Sequence, residues 1–229
     1  MKLLIAGCDP GIPVLLRHLQ REGVEAIVLY RNSSQALDLL KASLIHIAGI
    51  HLRDETTGEA NLPAVRKLFP KGSVAVVSYA LWEEGLVVAR GNPKNIKTIA
   101  DLARKDVTII NREPGAGSRL LLDFQLKQAG VEPQSVNGYE RVAIGHLPAA
   151  WQVKTGAADC CIAAKTAACA FGLDFVPLAR ERYDFVMRKK NLNLPSVQIL
   201  LETLAKTAFR RELEGLGGYD TSVSGNRII

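Results

Sequence analysis

Residues 111–123, NREPGAGSRLLLD, gather the side chains best suited to chemistry: Arg112, Gly115, Gly117, Ser118 and Arg119. A β-branched run at 107–110 leads in and a leucine-rich amphipathic stretch leads out, which predicts a strand, a turn and a helix. The start of a helix presents unpaired N–H groups and the positive end of its dipole, so it suits an anion. Gly115 and Gly117 let the backbone approach a ligand with no Cβ in the way. Ser118 either caps the helix or donates its hydroxyl, and Arg112 and Arg119 add forked cationic donors. Arg119 has a competing partner in Asp123 at i+4. The loop lacks the third glycine of G-x-G-x-x-G and the Gly-Lys-Ser/Thr of a phosphate-binding loop, which excludes those nucleotide motifs. Read by itself it is either an anion cradle or a tight connection.

The remaining reactive residues are dispersed. His18, His46, His51 and His146 show no H-E-x-x-H or Cys/His ligand spacing, so neither a catalytic metal nor a structural zinc is expected. His46, inside a strand pattern, reads as a satisfied core or edge histidine. His51, on a glycine-bordered loop, is open to either role. Asp9 either accepts from a ligand hydroxyl or caps the helix beginning near Ile12, and the cap is preferred. The Asp54–Glu55 and Glu83–Glu84 pairs read as solvated surface. Cys8 precedes a helix start, which would favour its thiolate, but no nucleophile motif or local base frames it. No catalytic residue and no cofactor are therefore expected. Cys8, Cys160, Cys161 and Cys169 lack C-x-x-C spacing, and the adjacent pair in an apolar run reads as buried thiols. Tyr139, Trp151 and Tyr183 either line a cleft or pack cores.

Composition narrows the partners. The net charge of +6 is a mild bias toward anions, and the longest basic run is Arg188-Lys189-Lys190, so direct nucleic-acid binding is not expected. The start MKLLIAGCDPG is too short for a signal peptide, and no stretch of about 18 apolar residues offers a membrane span. A cytoplasmic location follows as the expectation. A homodimer or a regulatory protein partner is left open.

Strand and helix patterns alternate: strands at 3–7, 26–30 and 44–48, helices at 12–22, 35–42 (capped by Ser33 or Ser34) and 62–69. This predicts an α/β chain with parallel pairing. Strand-like runs at 74–79 and 86–89 flank Trp82-Glu83-Glu84-Gly85, where the chain is expected to cross between lobes. A second alternation follows, with helices at 96–104, 118–129, 148–154 and 165–171 and strands at 107–110, 158–162, 175–178 and 183–187. Two helices, 197–205 and 209–216, and a Gly-Gly-Tyr-Asp turn close it. Residues 1–80 and 190–229 are assigned to a discontinuous first lobe and 81–189 to the second. No helical trio remains for a helix-turn-helix.

Several segments in order carry a family resemblance: AGIHLRDETTGEANL at 48–62, the glycine loop, GYERVAIGHLPAAWQVKTGAADCCIAA at 138–164 and GLDFVPLARERYDFVM at 172–187. The chain resembles cytosolic type II periplasmic-binding-protein-like substrate-binding domains, the branch often fused to helix-turn-helix regulators or molybdopterin-biosynthesis proteins. The resemblance implies a two-lobed α/β fold, each lobe a mostly parallel sheet flanked by helices, with a ligand in the interlobe cleft. Ligand contacts implied are Cys8, Asp9, Gly49, Ile50 and His51 from one lobe. From the other they are Arg112, Gly115, Gly117, Ser118, Arg119, His146 and Ala163 to Lys165. The collection of ligands beyond the carboxyl ends of strands in open α/β sheets agrees. The chain departs from the branch at Glu83-Glu84, at Cys160, Cys161 and Lys165, and in lacking the companion DNA-binding domain. The implied function is binding of a small anion (molybdate, tungstate or a molybdopterin-related molecule) as a sensor or carrier without chemistry. The alternatives are an enzyme or accessory subunit of molybdenum-cofactor biosynthesis, or a regulatory subunit acting through partner contacts.

Overall fold

A computed structural model of the chain describes residues 2–54 and 57–229, so Glu55 of the Asp54–Glu55 pair lies outside the described residues. The chain divides into two compact units. The first runs up to Trp82 and resumes at Glu181–Ile229; the second is Glu83–Arg180.

The first unit alternates β1 (Leu3–Gly7), α1 (Ile12–Arg21), β2 (Ala26–Tyr30), α2 (Ser33–Lys41), β3 (Ile47–Ile50) and α3 (Leu62–Leu68). Pro13 sits in the first turn of α1, where its missing N–H costs nothing, and Gly23 takes the left-handed φ of 77° just past the end. β1 pairs parallel with β2 and β3, Ile5 standing opposite Val28 and Ile47. Two long strands, β4 (Val74–Val88) and β8 (Asp174–Arg188), each begin in one unit and end in the other. Within the first unit β8 runs antiparallel to β3, with Ile47 opposite Met187. The core is formed by Ala36, Leu37 and Leu40 of α2, Val65 of α3, and Ala6, Ala48, Ile50, Val76 and Val186 of the sheet. Each fully buried aliphatic side chain contributes about 1.5–3 kcal/mol.

The second unit contains β5 (Asn111–Arg112), α4 (Gly117–Gln128), β6 (Val142–Ala143), α5 (His146–Lys154), β7 (Cys160–Ala164) and α6 (Lys165–Phe171). β7 runs antiparallel to the latter part of β4, from Glu84 opposite Ala164 to Val88 opposite Cys160, and β5 pairs parallel with β6. Side-chain alternation divides the core in two. Leu86, Val88, Cys160 and Ile162 pack with Leu121, Leu122 and Leu126 of α4. Val87, Cys161 and Ala163 pack instead with Ala149, Ala150 and Val153 of α5 and Ala167 and Ala168 of α6. The remaining elements, α7 (Pro195–Ala205), α8 (Thr207–Glu214) and β9 (Tyr219–Asp220), belong to the first unit.

Several elements differ from the sequence reading. The strands expected at 74–79 and 86–89 are one fifteen-residue strand, β4, and those at 175–178 and 183–187 are likewise joined in β8. Trp82-Glu83-Glu84-Gly85 is therefore strand, not turn. Gly85 admits the neighbouring chain there, since a Cβ would stand 2.1 Å from the Val176 carbonyl oxygen. The helix expected at 96–104 is a 3₁₀ turn, Ile99–Ala103, entered through a Thr98/Asp101 capping box. Asn32 rather than Ser33 or Ser34 caps α2, in a reciprocal box with Gln35. Tyr219–Asp220, expected in a turn, is β9 and pairs antiparallel with Leu81 and Trp82 of β4.

Candidate functional site

In the second unit the glycine loop delivers the side chains it promised, each already engaged. Gly115 takes a left-handed φ of 86°, turning the chain from β5 into α4. Gly117 and Ser118 are buried and form the first turn of a twelve-residue helix that no side chain caps. Their backbone N–H groups donate to no acceptor among the described residues, so two donors at the positive end of α4 stand open.

Arg112, 1% exposed, lies at the end of β5. Its Nε and Nη2 donate to Glu113 Oε2 and Oε1 at 2.9 and 3.1 Å, a two-pronged ion pair, and Nη1 reaches Ser118 Oγ at 3.4 Å. Burial acts to raise the Glu113 carboxyl, but the Arg112 fork outweighs it, helped by the Gly145 N–H at 3.3 Å, and holds the group below its ordinary value. Ser118 is not the helix cap; its Oγ donates to Glu84 Oε1. Arg119 turns toward Tyr139, its guanidinium 4.8 Å from the ring centre, and donates to the Arg112 carbonyl oxygen at 3.3 Å. Asp123, its alternative partner, accepts instead from the Tyr139 hydroxyl at 2.5 Å.

His146 opens α5, two residues earlier than the sequence pattern placed that helix. Its Nδ1 accepts from the Ala164 N–H at 3.1 Å, which leaves the proton of the neutral ring on Nε2, and lies 4.0 Å from Glu84 Oε1. Lys165 opens α6 and pairs with Glu83 at 2.6 Å. The Glu83–Glu84 pair is thus not a solvated face. Glu84 is fully buried against Ser118, and only Glu83 is partly exposed. Burial first, and then Glu84, push the nearby Cys161 thiol up to about 12 against the pull of Arg112, which keeps it protonated at neutral pH.

The first unit assembles Cys8, Asp9, Gly49 and His51 around Tyr183. The Tyr183 hydroxyl accepts from the Cys8 N–H at 3.2 Å and stands 2.2 Å from where a Cβ would be on either Gly7 or Gly49. Those two glycines therefore make room for an aromatic ring. His51 Nδ1 meets Glu181 Oε2 at 2.9 Å, and its ring stands edge-on to Trp82 at 4.7 Å. Asp9 Oδ1 accepts from the Gly11 N–H and from the Tyr219 hydroxyl, the latter at 2.6 Å, while its buried Oδ2 meets no donor among the described residues. Burial raises the Asp9 carboxyl to about 6, against those hydrogen bonds and the His51 charge. His46, expected as a satisfied core or edge histidine, lies just before the interior strand β3, and its Nδ1 accepts from the Leu4 N–H at 2.9 Å.

Glu84 and Glu113 were missed by sequence reasoning. Glu84 was legible only if 74–88 is taken as one strand, because alternation then sets it on the same face as Trp82 and Leu86, both buried.

Residues 16–205 match the model of a PBP superfamily domain. The chain is 37% identical over 228 residues to the uncharacterized protein YvgK of Bacillus subtilis, covering 99% of this chain and 73% of that one. It is 39% identical over 110 residues to an uncharacterized protein encoded 5′ of a 2Fe-2S ferredoxin gene in Clostridium pasteurianum, covering 48% and 97%. Among solved structures it is similar to a protein described as a phosphate ABC transporter substrate-binding protein from Clostridium perfringens, with bound phosphate. The TM-score is 0.69 and the identity 13%, over 96% of this chain and 98% of that one. The arginine-, lysine-, histidine-binding protein ArtJ of Geobacillus stearothermophilus matches with a TM-score of 0.61 and 13% identity, over 95% of each. Both neighbours share the two-lobed type II substrate-binding fold.

Proposed function

The chain belongs to the PBP superfamily, the periplasmic-binding-protein fold of substrate-binding proteins, and on that premise we propose that it binds a small solute through an anionic group seated on the first turn of α4. The solute is held as by a sensor or carrier and released unchanged. The observation that carries this reading is the pair of buried, open N–H groups of Gly117 and Ser118, set at a helix N-terminus beside the buried Arg112.

The neighbouring charges refine the class of ligand. Arg112 is matched by Glu113 and Lys165 by Glu83, and Glu84 adds a further buried carboxylate. A bare dianion would face these carboxylates with nothing to offer them. A ligand that carries hydrogen-bond donors as well as an anionic group satisfies both sets, and monohydrogen phosphate and amino acids are such molecules. The structural neighbours, one with phosphate bound and one that binds arginine, lysine and histidine, fit this class. Molybdate and tungstate, fully deprotonated at neutral pH, fit it less well and rank behind.

Calorimetric titration with phosphate, L-arginine, sulfate and molybdate tests the reading. Phosphate or L-arginine is expected to bind with one-to-one stoichiometry and to be recovered unaltered. Arg112→Lys keeps the charge and loses the fork, so it is expected to weaken that binding by about tenfold, the loss of one charge-assisted hydrogen bond. No binding by any of the four, or equal affinity in the lysine variant, would overturn the assignment.

A further inference from the structure

The first unit holds a cavity of about 450 Å³ that none of the candidate site residues lines, at the junction between the end of α3 and the start of β4. Its wall is apolar: Val65, Phe69 and Val74 are buried, and Ile229 closes one side. Two exposed ammonium groups, Lys71 and Lys189, share the lining. A Cβ on Gly72 would lie 3.8 Å from Lys189 Nζ, so this ammonium stands beside the turn that carries Lys71. The turn is pinned there by the Lys189 N–H, which donates to the Ser73 carbonyl oxygen at 3.0 Å, and by the Ser73 hydroxyl, which donates to that of Pro70 at 2.7 Å.

The charged side chains of the lining are all cationic. Arg66 also lines the cavity and is paired with Glu59 at 3.2 Å, but Lys71 and Lys189 have no carboxylate partner among the described residues. The Arg188 guanidinium adds positive charge 5.9 Å from the Phe69 ring centre. One main-chain oxygen of Ile229 accepts from the Val76 N–H and from Arg227 Nε, both at 3.1 Å.

We propose that this cavity is a second ligand site, for a small amphipathic carboxylate whose apolar tail lies on Val65, Phe69 and Val74 and whose carboxylate sits between Lys71 and Lys189. The volume is in the range of small-molecule sites, which are mostly apolar with a few placed polar groups. An inorganic anion would leave the apolar wall unused, and an alkyl cation would meet unpaired ammonium groups. Only a molecule with both a tail and a negative head uses the whole lining.

Octanoate is the probe, followed by methyl NMR of the full chain. Saturable shifts of the Val65, Val74 and Ile229 methyl signals are expected with octanoate, and none at equal concentrations of octylamine or acetate. The double variant Lys71→Glu with Lys189→Glu changes exposed side chains only. It is expected to keep the circular dichroism and melting curve of the parent while weakening octanoate at least tenfold. Octylamine binding as well as octanoate, shifts confined to other methyl groups, or unchanged octanoate affinity in the double variant would each overturn the proposal.

Discussion

Arg112 and Asp9 are both buried charges, but their surroundings differ. Arg112 is neutralised by its fork to Glu113, so removing one partner strands the other. Arg112→Ala is expected to destabilise the protein by about 3–5 kcal/mol, and Arg112→Met with Glu113→Gln by clearly less, read from urea midpoints. If the double variant is the less stable, the pair contributes more than compensation. Asp9 has no cation in hydrogen-bond contact among the described residues, and its carboxyl is raised from 3.8 to about 6. Between those values the unfolded chain has released the proton and the folded chain still holds it. Stability therefore falls as pH rises from about 4 to about 6 and levels off above. The shift corresponds to about 3 kcal/mol. Asp9→Asn cannot ionise, so it should gain about that much on the parent between pH 4 and pH 7, and a pH-independent difference would show the carboxyl to be unperturbed. Ser118 yields a narrower expectation. Its one hydroxyl proton is given to Glu84, which leaves an incoming anion only the backbone N–H groups and Arg112. Ser118→Ala is expected to cost stability, about 1–3 kcal/mol for the lost hydrogen bond to the Glu84 carboxyl, and to leave ligand affinity nearly intact.

At the scale of elements, β1, β3 and β8 meet at Tyr183. The hydroxyl is the one atom within 3.0 Å of a Cβ placed on Gly7, whereas ring carbons at 2.7 and 2.8 Å also crowd a Cβ on Gly49. Gly7→Ala and Gly49→Ala are both expected to destabilise by about 1–3 kcal/mol through overpacking. Adding Tyr183→Phe should recover part of the loss at Gly7 and little at Gly49. Equal rescue at both positions in a denaturation series would refute that geometry. These same strands show what the sequence could reveal. The β1-α1-β2-α2-β3 alternation was legible because its apolar periods are clean and its ends are marked by Gly23 and Pro13. The crossings were half legible. β-Branched runs announced strands on both sides of Trp82–Gly85, but two adjacent glutamates broke the alternation. The buried partner Ser118, far away in sequence, helps explain why Glu84 belongs inside. For the same reason Glu113 was passed over: its role exists only through the Arg112 fork and the Gly145 N–H.

For the whole molecule, a solute that binds the native chain alone adds RT ln(1 + [L]/Kd) to its stability, about 2.7 kcal/mol at one hundred times Kd. For a chain of 229 residues each kcal/mol moves the melting temperature by about 2–4 °C, so saturation should shift it by about 5–11 °C. The chain has two compact units, so its melt need not be a single transition. Because α4 lies within Glu83–Arg180, the transition that reports that unit is the one the ligand must move. Scanning calorimetry with phosphate, L-arginine and molybdate therefore ranks the candidates. Donor-bearing ligands are expected to shift the transition and molybdate to shift it less, because Glu84 and Glu113 offer acceptors that molybdate cannot use. A larger shift with molybdate would reverse the ranking and show that the open N–H groups of α4, rather than donors given to Glu84 and Glu113, set the preference.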